Sequence, residues 1–447
     1  MRYVTKCAAR AALAASIVQP AVAEGQGHSD HEGARPEQRA GAPAHSMAHD
    51  GVPMPRRPLD LPESRDASGT AWQPDVSPMH AVHAMLGDAW SLMVHGSVFV
   101  GYDVQGSDRG DREVTSQSWI MAMIRRSTSR AEIGARVMLS AEPLTVGPGG
   151  YPLLLQTGET YRGAPLHDRQ HPHDLVMEAA VIAAAEVIDG VGLQLYVAPA
   201  GEPALGPVAF PHRPSAASDP LAPLGHHWQD ATHITYGVVT AGVFTRRAKL
   251  EGSWFNGREP DEARYDLDLR VPDSFSARLT VQPIDALSVQ ASYGFLASPE
   301  AIEPEESVHR VTTSAMLGGR LGESGRWATT AVFGGNFASG EPSTPSFLVE
   351  ADVHLDAHHV VFGRAEYVRK TGRDLALPPA SEDLVFNMGS LALGYLFEVG
   401  PIGPVLAGIG ARGAANLIGA GLEPFYGTRL PLGAMVFLRL RPALMSQ

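Results

Sequence analysis

The sequence predicts an all-β protein, one antiparallel β-barrel of about sixteen strands behind a disordered tail, and three observations carry that prediction. After residue 88, apolar and polar residues alternate with a period of two over stretches of about ten to fifteen residues, the pattern of a strand with one dry and one wet face. The connections between these stretches are short and long by turns. No run of about eighteen apolar residues follows residue 23, so helical membrane spans are excluded.

Residues 1–23 read as a secretory signal peptide. Arg2, Lys6 and Arg10 make a basic start, residues 11–18 a short apolar run, and Ala21-Val22-Ala23 a small-x-small cleavage pattern, so the mature chain is expected from Glu24. The single cysteine, Cys7, falls inside this leader, which leaves no disulfide, thiolate metal site or cysteine nucleophile. Residues 24–70 are rich in Gly, Pro, Ala, His, Asp and Arg without any period, and read as a disordered tail on the periplasmic side. Residues 71–87 read as a transition or plug-like segment, and residues 88–447 as the barrel.

Within the barrel, strand windows fall at 89–104, 113–127, 129–142, 172–187, 190–199, 230–247, 248–257 and 273–283, then at 285–297, 307–322, 325–338, 344–357, 358–370, 384–399, 403–413 and 428–441. In the first, Trp90, Leu92, Val94, Val98, Val100 and Tyr102 share one parity, with Met93, His95 and Ser97 on the other. In the third, Ile133, Ala135, Val137 and Leu139 oppose Glu132, Gly134 and Arg136. In the window at 344–357, Phe347, Val349, Ala351 and Val353 oppose Glu350, Asp352 and His354. Short turns at Ser127-Thr128, Asp189-Gly190, Pro283-Ile284, Gly322–Gly325, Asp356-Ala357 and Gly400–Gly403 alternate with long segments such as 143–171, 200–229, 258–272 and 414–427. Short turns at one end and long loops at the other mark outer-membrane barrels; with boundaries good to a few residues, the count spans 14 to 18 strands. Trp90, Trp119, Trp228, Trp254, Trp327, Tyr102 and Tyr196 are expected in interfacial girdles.

Three of the 35 basic residues lie in the leader, so 32 remain against 48 acidic ones, a balance of −16. That sign excludes nucleic acid as a partner and suits cations. The chain carries no Gly-x-Ser-x-Gly elbow, no His-Glu-x-x-His and no phosphate loop, so no enzymatic activity is expected.

Five strings set the chain beside a known group: GTAWQPDVSPMH at 69–80, HDRQHPHD at 167–174, GEPALGPVAFPHRP at 201–214, HHWQDATH at 226–233 and FNGREPD at 255–261. They resemble a family of proteobacterial outer-membrane β-barrel proteins often associated with copper and heavy-metal efflux systems. The resemblance spans roughly residues 69–445. It implies a barrel in the outer membrane, a metal-linked setting and efflux components as partners. The layout, though not the Met content of the tail, is similar to that of outer-membrane copper-resistance proteins.

Candidate ligands fall in three groups. The tail carries His28, His31, His45, Met47, His49 and Met54, imidazole and thioether donors that suit copper and borderline metals on a mobile chain. The second group is His167, Asp168, His171, His173 and Asp174, three imidazoles with two carboxylates to orient them, in a stretch that Pro172 interrupts. The third is the proline-rich segment at 200–233, with Glu202, His212, His226, His227, Asp230 and His233, stiff enough to fold inward as a pore constriction.

The leading expectation is a passive outer-membrane channel or envelope protein that handles copper or related metals. A non-conducting metal-binding anchor and a general porin without a metal role stand beside it. No cofactor is required, and a copper ion held by the tail or a loop is the one expected guest. The expected partners are outer-membrane lipid and the barrel-assembly machinery, and the strand number fits a homotrimer.

Overall fold

The computed structural model describes residues 56–444 apart from 88 and 302. The chain divides into two units, Met1–Met47 and Ala48–Gln447. The first lies outside the described residues, and with it the leader and the candidate ligands His28, His31, His45 and Met47; His49 and Met54 lie outside them too.

Among the described residues nineteen strands follow in chain order: β1 Ala81–Leu86, β2 Trp90–Gly106, β3 Arg112–Ser127, β4 Ala131–Leu139, β5 Tyr151–Tyr161, β6 Ala164–Gln170, β7 Val176–Ile188, β8 Val191–Gly201, β9 Thr235–Phe244 and β10 Ala248–Phe255. Then come β11 Ser274–Ile284, β12 Leu287–Ala297, β13 Ser307–Leu321, β14 Gly325–Ala338, β15 Thr344–His354, β16 His359–Thr371, β17 Val385–Ile402, β18 Val405–Ile418 and β19 Leu432–Pro442. Strands β2 to β4 and β7 to β19 each pair antiparallel with the next, and β19 returns to β2, closing a barrel of sixteen strands. All sixteen expected windows correspond to these strands.

Alternation explains why this sequence closes a cylinder. On β15, Glu350, Asp352 and His354 are 2–4% exposed, while Phe347 and Val349 on the opposite parity are more than half exposed on the outside. On β4, Glu132 and Arg136 point inward and Ile133 and Val137 outward. Such a strand hides its polar parity only if the sheet rolls up around it.

The seam is composite. Leu432–Leu440 of β19 pair with Gly106–Val98 of β2, and the remaining edge of β2, His95 to Trp90, pairs with Ala81–Leu86 of β1. A bridge between His80 and Leu444 joins the two pieces, so β1 continues the line of β19. The six-residue β1 was not expected from the sequence. Neither was the two-stranded hairpin of β5 and β6, which lies within the first long loop.

The expectation of disorder over 24–70 is corrected at its end. Residues 56–70 are folded, with 3-10 turns at Pro58–Asp60 and Glu63–Arg65, and Arg65 is fully buried. An ion pair within the inward segment and polar groups on the inner wall hold this stretch. Arg65 pairs with Asp75 at 2.6 Å, Arg57 with Glu132 at 2.8 Å, and Lys249 and Arg136 donate to the carbonyls of Thr70 and Gly69. Trp72 lies between Arg65 and Lys249, 4.9 and 4.7 Å from its ring centre. Gly69 sits at φ +51°, where a Cβ would overlap the Glu202 side chain. The girdle expectation also needs correction: Trp228 and Tyr196 are buried inside, and Trp119 turns inward beside His95 and His212.

The long segment between β8 and β9 crosses the lumen, because the opposite wall supplies what its polar groups need. Arg213, fully buried, pairs with Asp230 at 2.7 Å within the segment and with Glu350 of β15 at 2.6 Å. Arg364 of β16 binds Glu350 at 3.0 Å and donates to the carbonyl of Leu221 at 2.9 Å. Arg412 of β18 pairs with Asp219 at 2.9 Å, and Trp228 donates to Thr344 at 2.6 Å. Arg213→Ala leaves Asp230 buried without its guanidinium and Glu350 with Arg364 alone, at a cost of about 3–5 kcal/mol. Faster amide hydrogen exchange across residues 202–234 is the expected result, and unchanged protection there would show that other contacts hold the segment.

Candidate functional site

Two inward segments bring five imidazoles together. Past β6, the chain at 171–175 runs extended toward β7, with His171 and His173 on either side of Pro172. From the other segment, a helical turn at His226–Gln229 supplies His226 and His227, and a 3-10 turn at Ala231–His233 supplies His233. All five rings are at most 9% exposed. Ring centres are 5.0 Å apart for His226 and His227, 5.1 Å for His226 and His233, 5.2 Å for His173 and His233, and 5.4 Å for His171 and His227. Phe210 packs against the group, 5.2 Å from His226 and 6.0 Å from His173.

Each ring is oriented the same way. The Nδ1 of His171 faces Glu159 at 3.0 Å, that of His173 faces Glu142 at 3.0 Å, and that of His227 faces Glu259 at 3.2 Å. The Nδ1 of His226 faces Asp230 at 2.7 Å, an i,i+4 pair across the helical turn, and that of His233 faces the Asp230 carbonyl at 2.8 Å. These partners are acceptors, so Nδ1 carries the proton and Nε2 presents its lone pair. All five Nε2 atoms are buried and have no hydrogen-bond partner in the protein. Burial is the chief cause that lowers the pKa of His226 to about 4 and holds His171 and His233 well below the usual value, which keeps these rings neutral. Ligand nitrogens of His171, His226 and His227 all lie within 4.8 Å of one another.

A buried imidazole whose far nitrogen is fixed by a carboxylate and whose near nitrogen is free is the arrangement found around histidine-bound metals. Three such nitrogens, those of His171, His226 and His227, suit an ion of the zinc or copper(II) class. Close packing maintains it. Gly158 of β5 has φ +117°, and a Cβ there would fall 2.1 Å from the His227 ring.

The structure regroups the residues singled out in the sequence. His171 and His173 join His226, His227 and His233, with Asp230 as the group that orients two rings. His167 stays apart, 40% exposed on β6 against Asp168 and Arg109. Asp174 is taken up by Tyr236 and Arg264. Glu202 lies by Gly69 and Arg278, away from the rings. His212 sits among methionines at Met138. Glu142, Glu159 and Glu259, which set the rings, were missed; the long loops hold many glutamates, and nothing in residue order singles these three out.

Two cavities open inside the barrel, one of them against the cluster. One, of about 130 Å³, opens among the long loops and is lined by Glu159, Glu300, Glu303, Glu306, Glu341 and Asp374, with His227 at its inner wall. Burial first, and the nearby Glu303 second, raise Glu306 to about 7, a sign of crowded carboxylates that a cation would relieve. The other, of about 150 Å³, lies toward the short turns, lined by Glu63, Asp66 and residues 76–81 and by His95, Met121 and His212. No residue lines both.

No protein-family model matches the chain, and no curated protein matches it. Among solved structures it is similar to an anion-selective porin from Comamonas acidovorans, at 9% identity and a TM-score of 0.48, over 79% of this chain and 99% of that one. It is also similar to OmpF of Salmonella typhi in complex with daunomycin, at 9% and 0.49 over 80% and 100%, and to the channel DcaP of Acinetobacter baumannii, at 7% and 0.45 over 80% and 99%. Likenesses of this size do not say what enters the barrel.

Gly158→Ala places a methyl group where the His227 ring stands, at a backbone angle that side chains avoid. A loss of about 1–3 kcal/mol is expected. Thermal unfolding in detergent checks it, and an unchanged midpoint would mean that the ring moves aside freely.

Proposed function

We propose that the chain is an outer-membrane channel protein whose lumen narrows around a binding centre for a divalent transition-metal cation of the zinc or copper(II) class. The observation that carries this reading is the set of five buried Nε2 atoms without partners, each on a ring whose Nδ1 is fixed by an acceptor. A cation entering from the long-loop side meets the carboxylates of the acidic cavity and exchanges water for imidazole at His227 and its neighbours. The resemblance to barrel proteins associated with copper and heavy-metal efflux points the same way.

The membrane setting rests on the outer surface. Leu391, Leu393, Val349 and Leu438 face outward, more than half exposed, in mid-barrel. Outward aromatic residues flank this band: Phe275, Tyr293, Phe347 and Tyr367 toward the long loops, Tyr395 and Phe397 toward the short turns. An apolar belt with aromatic girdles is what a bilayer selects. The short turns then face the periplasm.

Cobalt(II), a spectroscopic stand-in for zinc, tests the centre. Purified protein in detergent is expected to bind one equivalent with ligand-field absorption, and the triple variant H171A/H226A/H227A to bind at least tenfold more weakly. Replacement of exposed His309 by Ala serves as the control. Equal binding by the triple variant would remove the centre from the reading. The membrane setting has its own check: Leu393→Arg is expected to cost about 2–4 kcal/mol for folding into lipid vesicles. Unaltered stability there would place this face out of hydrocarbon.

A general porin with an open lumen is the weaker reading, because residues 56–80 and 202–234 both lie inside the barrel wall. Large, steady conductance steps in planar bilayers would favour it.

A further inference from the structure

Three neighbouring strands place sulfur and imidazole in one row. In the register of β2, β3 and β4, His95 stands opposite Met121 and Met121 opposite Met138. All three face the lumen, and Met121 and Met138 are 1% and 4% exposed. The inward segment lowers His212 onto this row. The Nε2 of His95 lies 3.2 Å from the sulfur of Met121, and the Nε2 of His212 lies 3.4 Å from the sulfur of Met138. The two rings are 5.7 Å apart, and Trp119 covers them at 5.2 and 4.4 Å.

The wall around the row is thioether too. Met93, opposite Met123 in the same register, and Met177 complete a buried cluster with Met121 and Met138. Plain packing would be served by Val, Leu or Phe, as it is elsewhere on the inner wall at Val332, Leu348, Phe362 and Leu396. Methionine is the apolar side chain that also donates an electron pair.

The donor set differs in charge from the histidine centre. There, carboxylates stand behind the rings. Here, neither His95 nor His212 has a carboxylate among its hydrogen-bonding or ring contacts, and the charged group nearest in influence is Arg136. Uncharged, polarizable donors in a positively biased setting disfavour divalent ions and suit a soft monovalent one.

We propose that His95, Met121, Met138 and His212 form a second metal site, for a soft monovalent cation of the copper(I) or silver(I) class, opening on the cavity at the short-turn end. It uses none of the rings of the five-histidine centre, so it stands or falls independently of that reading.

Silver(I) is the probe, since it needs no reductant. Full-length protein carrying 13C-methyl methionine, in detergent and chloride-free buffer, is titrated with silver nitrate. The expected result is a shift of the Met121 and Met138 methyl signals at one equivalent. Affinity should fall at least tenfold in M121L/M138L, a swap of nearly equal volume that cores tolerate. M388L, in a separate buried cluster, should leave it unchanged. Methyl signals of Met121 and Met138 that do not move in the wild-type protein would reduce the row to ordinary packing, and so would undiminished silver binding in the double variant.

Discussion

Charge shut away from bulk water is the constraint on which the interior depends. A lumen wide enough for sixteen strands is filled here by two lengths of chain, and nearly every guanidinium and carboxylate on the wall loses its hydration to them. Each then needs a partner in protein. Arg213 meets the need most economically, bridging Asp230 of the inward segment and Glu350 of the wall, and Asp230 in turn fixes His226 and, through its carbonyl, His233. The same ion pairs that close the lumen therefore aim the imidazoles. Stability and ligand geometry share one set of contacts.

This sharing explains what was legible in the sequence. The sixteen barrel strands were, because a lipid-facing side chain at every second position leaves a mark in residue order. The parity of His95 and Met93 against Val94 and Val98 already told which way each pointed. Element edges were less visible: residues 140–142 looked like strand, yet β4 ends at Leu139 so that Glu142 can swing under His173. The six residues of β1 were too few to show a period.

The histidine centre was visible as two clusters and not as one. His171 and His173 meet His226, His227 and His233 only because two loops fold inward from different parts of the rim, and nothing in residue order encodes that meeting. His167, four residues from His171, was drawn in by proximity alone; hairpin pairing with Thr157 carries it elsewhere. The methionine row was hidden for a related reason. Met121 and Met138 become neighbours through strand register, which fixes side-chain contacts that spacing along the chain does not reveal.

The composite seam has a kinetic consequence. His80 contacts the carbonyl of Pro442 across 362 positions of sequence, so the cylinder is completed by a junction of very high contact order. Loop-closure entropy opposes such a junction until the intervening hairpins have zipped up side by side. Until then the edge of β2 from Val98 to Gly106 lacks its β19 neighbour, and a sheet with an unpaired edge invites foreign strands. A helper that caps that edge during assembly would protect the one place where this barrel is slow to finish.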